Sequence, residues 1–169
     1  MQKIAALQVK DYLTLANAAC GALSIAAAFA GQMWFWLLIP LAVVFDALDG
    51  KFARLTKTQN KLGDSIDSMA DMVSFGVAPF FAALTILGPN WLLWIGGVLF
   101  VLAAVVRLSF FAVSPTRAFF VGMPAPAAAL IALFFVMLDV WSHHGGTVAG
   151  IAMLVLAFLM VSDYKFPKA

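Results

Sequence analysis

The chain has 169 residues, of which 64% are hydrophobic and only 11% charged, and its formal net charge is +2. A mean hydropathy of +1.03 lies far above that of a water-soluble domain and excludes a soluble globular enzyme. Its basic residues come singly between apolar runs, which excludes a nucleic-acid-binding stripe, and the single cysteine, Cys20, excludes an intrachain disulfide framework.

The apolar runs approach or exceed the ~20 residues needed to cross ~30 Å of hydrocarbon. In chain order they predict six membrane helices over residues 11–30, 33–55, 61–87, 91–112, 121–141 and 147–163. Turn signals punctuate them: Gly31-Gln32, Gly88-Pro89-Asn90, Ser114-Pro115 and the run from Ser142 to Gly146. The expected fold is an all-α membrane protein, one six-helix transmembrane domain over residues 1–169. Lys3 and Lys10 ahead of the first run also suit a signal peptide. That run, however, continues into a multi-span pattern without a polar cleavage region, which favours a retained span.

Charge orients the bundle. Lys3 and Lys10 precede span one; Lys51, Arg54, Lys57 and Lys61 surround the second connection; Arg107 and Arg117 surround the fourth; Lys165 and Lys168 follow span six. All the basic residues thus fall at one end, which the positive-inside rule places in the cytosol together with both termini. Trp34, Trp36, Trp91, Trp94 and Trp141 gather at the opposite ends of the spans, as an aromatic belt should. His143 and His144 fall in an external turn and Asp139 near the same surface, where all three are expected to be solvated.

The acid is distributed very differently. Five of the eight acidic residues, Asp46, Asp49, Asp64, Asp67 and Asp71, lie within 26 positions, and there is no glutamate. Asp46, Asp49, Gly50 and Ala53 follow helical spacing along one face of span two, and Gly63, Asp67 and Asp71 follow it along span three, with Asp64 one position off. A short connection makes the two spans antiparallel neighbours. Asp49 and Asp67 then lie at one depth, about 8–9 Å from the cytosolic end at 1.5 Å per residue. Facing carboxylates repel unless protonated or bridged by cations, and hard oxygen donors at this density suit Mg²⁺, Mn²⁺ or Ca²⁺. Small residues on the same faces allow either close helix packing or a ligand lying against the backbone.

Two function classes fit these residues: a divalent-cation channel or transporter, and a metal-assisted enzyme acting on a phosphate at the membrane surface. Arg54 adjoins the acids and Arg107 lies about a turn inside span four. Arginines beside a cation path oppose permeation, whereas arginines beside a metal site suit an anionic substrate. The enzyme is favoured.

The spacing Asp46-x2-Asp49-Gly50-x2-Ala53-Arg54-x8-Gly63-x3-Asp67-x3-Asp71 resembles, without departure, the signature of the CDP-alcohol phosphotransferase family. Further segments are similar to its phosphatidylserine synthase branch: DYLTLANAACGALSI from Asp11, DMVSFGVAP from Asp71, VRLSFF from Val106, FVGMPAPAAA from Phe120 and SDYKFPK from Ser162. The resemblance implies a six-helix core and two Mg²⁺ or Mn²⁺ ions held by Asp46, Asp49, Asp67 and Asp71. It implies a CDP-diacylglycerol donor, L-serine as acceptor, CMP as leaving group, and a homodimer in the cytoplasmic membrane with its site facing the cytosol. Asp71 is the expected general base; Gly50, Ala53, Arg54, Gly63 and Asn17 are expected at the nucleotide, with a buried inter-helix hydrogen bond an equal expectation for Asn17. Arg107, Arg117 and Ser74 are the expected serine-binding residues. Glycerol 3-phosphate, inositol phosphate and an archaeal ether-lipid donor remain alternatives within the family. Some relatives carry two further C-terminal helices, whose absence from this sequence is expected to leave the catalytic core intact.

Overall fold

The computed structural model describes residues 9–32, 34–56, 61–113, 120–162 and 165–166, with side chains over 11–32, 34–53, 63–110 and 122–162. Among these residues the elements are α1 (Val9–Phe29), α2 (Phe35–Thr56), α3 (Lys61–Asp71), a π-helical segment (Met72–Val77), α4 (Ala78–Leu87), α5 (Trp91–Val113), β1 (Phe120–Val121), α6 (Ala125–Ser142), α7 (Thr147–Val161) and β2 (Lys165–Phe166). The helix from α3 through the π segment to α4 runs without interruption. The helices therefore form six rods among the described residues, at the positions that hydropathy predicts. Four of them, Asp11–Phe29, Gly63–Leu87, Trp91–Phe110 and Ala125–Ser142, are long and apolar enough to cross a bilayer. The protein is an integral membrane protein.

Local chemistry fixes the rod ends. Gly31, at φ 66°, closes α1 in a left-handed turn. Its N–H donates to Ala28 and that of Gln32 to Ala27, at 3.0 and 2.9 Å, the paired bonds of a Schellman motif. Asn90 caps α5 by accepting the Leu92 N–H at 2.9 Å, and its own amide donates to the Gly145 carbonyl, also at 2.9 Å. Two connections on the same end of the bundle are thereby tied together.

Asp139 departs from expectation. It is fully buried, accepting the N–H of Gly146 at 3.0 Å and that of Ala149 at 2.8 Å. The first turn of α7 carries unsatisfied N–H groups and a partial positive charge, and a carboxylate from α6 answers both. Solvation of Asp139 is thus corrected to a helix cap in trans. His143 and His144 are exposed, as expected. Trp36 also differs from the expected belt: it is half-buried, its ring tilted against that of Phe35 with centroids 4.5 Å apart, and packed against the hydrophobic core. Trp34, Trp91, Trp94 and Trp141 are exposed.

The fifth rod starts at Ala125 rather than at Val121 because the chain ahead of it is extended. Phe120 and Val121 pair antiparallel with Phe166 and Lys165. Gly122, at φ 76°, presses so closely on the Met160 carbonyl that a side chain there has no room.

The rod from α3 to α4 is central. α1 packs along α2, α3, the π segment and α4, while α5 packs on α7 and on all three parts of the central rod. Phe80, Leu93, Phe100, Val136 and Met153 fill the main core between α4, α5, α6 and α7. Close crossings need glycine: a Cβ at Gly21 would lie 2.6 Å from the Ser74 Cα, and one at Gly150 would lie 2.8 Å from the Leu92 backbone. These crossings hold α1 against the π segment and α7 against α5.

Candidate active site

Helical period brings the acids together. Asp46 and Asp49 stand one turn apart on α2, Asp67 faces them from α3, and one carboxylate oxygen from each lies within 4.8 Å of the other two. Oxygens bound to one Mg²⁺ sit up to about 4 Å apart and those on one Ca²⁺ up to about 5 Å. Three hard donors at this separation therefore fit a single divalent ion with only side-chain adjustment. Asp71, at the end of α3, stands beside them: its carboxyl is within hydrogen-bonding reach of Asp46 and interacts electrostatically with Asp67. Asp64 is exposed and lies outside the group.

α1 supports two of these acids. Thr14 donates its hydroxyl to Asp49 Oδ2 at 2.7 Å, and Asn17 donates its amide N–H to Asp71 Oδ1 at 3.0 Å. Both donors and both carboxylates are buried. Asn17 thus makes the inter-helix bond that was one of its two expected roles. Ser74, expected near the acceptor, is fully buried and donates to the Asn17 backbone carbonyl at 2.8 Å. The π segment carries this serine. Its widened turn, marked by the Ala78 N–H bonding to the Val73 carbonyl, falls directly after Asp71, and such segments recur beside functional sites. Sequence reasoning missed Thr14. The signal for it was present: Asp11, Thr14, Asn17, Gly21 and Ser24 form a buried polar and small stripe at helical spacing on α1.

Arg107 reaches the same place from α5. Its charge interacts with that of Asp71, and its Nε is buried with no hydrogen-bond partner. Gly50 is half-buried on α2, and a Cβ added there would meet nothing within 4 Å. Space beside the acids, rather than tight helix packing, accompanies this glycine. Ala53 is half-buried and Gly63 buried. The Arg54 side chain and all of Arg117 lie outside the described residues. A cleft of about 300 Å³ opens between α5 and the stretch from α3 into the π segment, lined by Ser65, Ser68 and Ser109 together with Met69, Met72 and Leu108.

The family model described as CDP-alcohol phosphatidyltransferase matches residues 7–164, a stretch that contains every acid of the site. The chain belongs to this family. It is 34% identical over 162 residues to the CDP-diacylglycerol–serine O-phosphatidyltransferase of Methanocaldococcus jannaschii, covering 96% of this chain and 75% of that protein. It is 36% identical over 142 residues to the protein of the same name from Helicobacter pylori, covering 79% of this chain and 60% of the relative. The archaetidylserine synthase of Methanothermobacter thermautotrophicus is 34% identical over 170 residues, covering 96% of this chain and 70% of that protein.

Proposed function

We propose that this protein is a CDP-diacylglycerol–serine O-phosphatidyltransferase, making phosphatidylserine and CMP. The observation that carries the reading is the convergence of Asp46, Asp49 and Asp67 within 4.8 Å in a chain similar throughout to proteins of that name.

Asp46, Asp49 and Asp67 would hold a divalent ion, Mg²⁺ or Mn²⁺, with Asp71 helping at a second. When bound, the metal supplies positive charge that neutralises the donor's pyrophosphate and stabilises departing CMP. The chain's own residues do the rest. Asp71 takes the proton from the serine hydroxyl as its oxygen attacks the lipid-linked phosphorus. A new P–O bond forms to serine, the P–O bond to the bridging oxygen breaks, and CMP leaves. Asn17 keeps Asp71 aimed by the hydrogen bond its side-chain amide donates, and Ser74 fixes Asn17 by donating to its backbone carbonyl. Gly50, Ala53, Arg54 and Gly63 receive the cytidine nucleotide, for which the space at Gly50 is suited. Arg107 receives the serine carboxylate, and Arg117 is the second candidate for that role. The cleft between α3 and α5 offers hydroxyls to the donor's glyceryl esters and apolar walls to its tails.

In this reading six helices span the cytoplasmic membrane as one catalytic domain over residues 1–169. Both termini and the acids face the cytosol, and two copies pair as a homodimer. The test is a panel of alcohols supplied to the purified protein with CDP-diacylglycerol, its ether-linked counterpart and Mn²⁺, measuring CMP and lipid product. Phosphatidylserine from serine alone is expected. Turnover with glycerol 3-phosphate or inositol phosphate instead overturns the acceptor, and cation flux without CMP release overturns the enzyme.

A further inference from the structure

Apart from the carboxylates themselves, two buried polar atoms beside Asp71 have no hydrogen-bond partner among the described residues: Asn17 Oδ1, on a side chain that is fully buried, and Arg107 Nε. The amide orientation of Asn17 is set by its neighbour, because a carboxylate oxygen accepts the Nδ2 hydrogen, which leaves Oδ1 as the unsatisfied end. Buried polar groups are paired in the great majority of cases, so each orphan asks what it meets. The two are of opposite sense. One is an acceptor and the other a donor, and they come from α1 and α5, two helices that both pack on α3. An α-amino acid carries the complementary pair, an ammonium donor and a carboxylate acceptor, with the reacting hydroxyl one carbon away.

We propose that Asn17 Oδ1 receives an N–H of the acceptor's ammonium group while Arg107 Nε donates to its carboxylate, so that these two residues select a zwitterionic alcohol and present its hydroxyl to Asp71. The assignment rests on the serine-transfer reading and deepens it by naming what reads the amino group. It also gives Asn17 two roles at once: Nδ2 holds the base, Oδ1 holds the acceptor. A neutral or phosphorylated alcohol leaves Oδ1 unpaired, which is the cost that makes such a site selective.

The test compares serine with two truncated forms of itself, 3-hydroxypropanoate, which lacks the ammonium, and 2-aminoethanol, which lacks the carboxylate. CMP release is measured for each in wild type, Asn17→Ser and Arg107→Gln. Wild type is expected to prefer serine over either analogue by at least about tenfold in kcat/KM. Asn17→Ser should bring the serine to 3-hydroxypropanoate ratio within about threefold of unity while leaving the preference over 2-aminoethanol; Arg107→Gln should do the reverse. Because each ratio is taken within one protein, partial loss of folding or of base alignment cancels.

A general fall in rate with both ratios unchanged makes Asn17 structural and overturns the proposal. A raised KM for CDP-diacylglycerol, or a weakened Mn²⁺ requirement, with the serine ratio unchanged places Oδ1 at the nucleotide or the metal and overturns it likewise. Wild type that uses 3-hydroxypropanoate as well as serine overturns it without any variant. Absence of serine-dependent CMP release in wild type is a separate result, and it rejects the serine-transfer reading itself.

Discussion

At the scale of single residues, the decisive contrast is between acids that bind and groups that hold them still. Thr14 carries no charge, yet its hydroxyl donates to Asp49. Groups that orient metal-binding carboxylates typically change metal affinity about 10–100-fold when removed. Thr14→Val should therefore raise the Mn²⁺ concentration needed for half-maximal CMP release by about that factor, with the KM for serine unchanged; an unchanged metal requirement would contradict the role. Two glycines separate packing from binding in the same way. A Cβ at Gly50 meets nothing within 4 Å, so Gly50→Ala should extract and melt as wild type while the KM for CDP-diacylglycerol rises about tenfold where the methyl displaces the nucleotide. Gly21→Val meets the Ser74 backbone at 2.6 Å and should lower thermal stability first.

At the scale of elements, apolar runs with glycine and proline at their ends made the helices legible to within about two residues, except at the start of α6, where Phe120 and Val121 pair as a strand instead. The four acids were legible because positions three and four apart share a face. What escaped was set by contacts that helical period does not encode. Asp139 read as a solvated surface acid because nothing nearby reveals that the first turn of α7 will present its N–H groups to it. Trp36 read as a belt residue because its packing against three core clusters, built by several helices together with its own, is not visible in the apolar pattern. The π segment left no periodicity of its own, since six residues are too few to shift an apolar pattern visibly. Asp139→Ala leaves two buried N–H groups without their acceptor, a loss of about 1–3 kcal/mol. A lowered Tm in detergent with an unaltered KM for both substrates is expected, and an unchanged Tm would deny Asp139 its role as a cap.

At the scale of the whole molecule, the placement of charge and the placement of the site are one fact. In the sequence every lysine and arginine falls before span one, about the second or fourth connection, or after span six; on the proposed topology these all lie at the end where the acids gather and where water, metal and serine arrive from the cytosol. Because the one native cysteine, Cys20, is buried, single reporter cysteines can test this in intact cells. A membrane-impermeant thiol reagent should label His144→Cys from outside and label Lys51→Cys only after the membrane is opened; labelling of both from outside would invert or dissolve the topology.

On the proposed reading, Asp46, Asp49 and Asp67 act as a single metal-holding set for phosphatidyl transfer to serine. What decides it is serine-dependent CMP release from CDP-diacylglycerol by the purified protein, before EDTA, after EDTA, and after Mn²⁺ is restored, in wild type and in Asp67→Asn. Wild type should lose activity on chelation and recover it fully on Mn²⁺ addition, with Asp67→Asn folded but inactive throughout. Serine-dependent release that survives chelation, or that persists in Asp67→Asn, would contradict the metal-holding role.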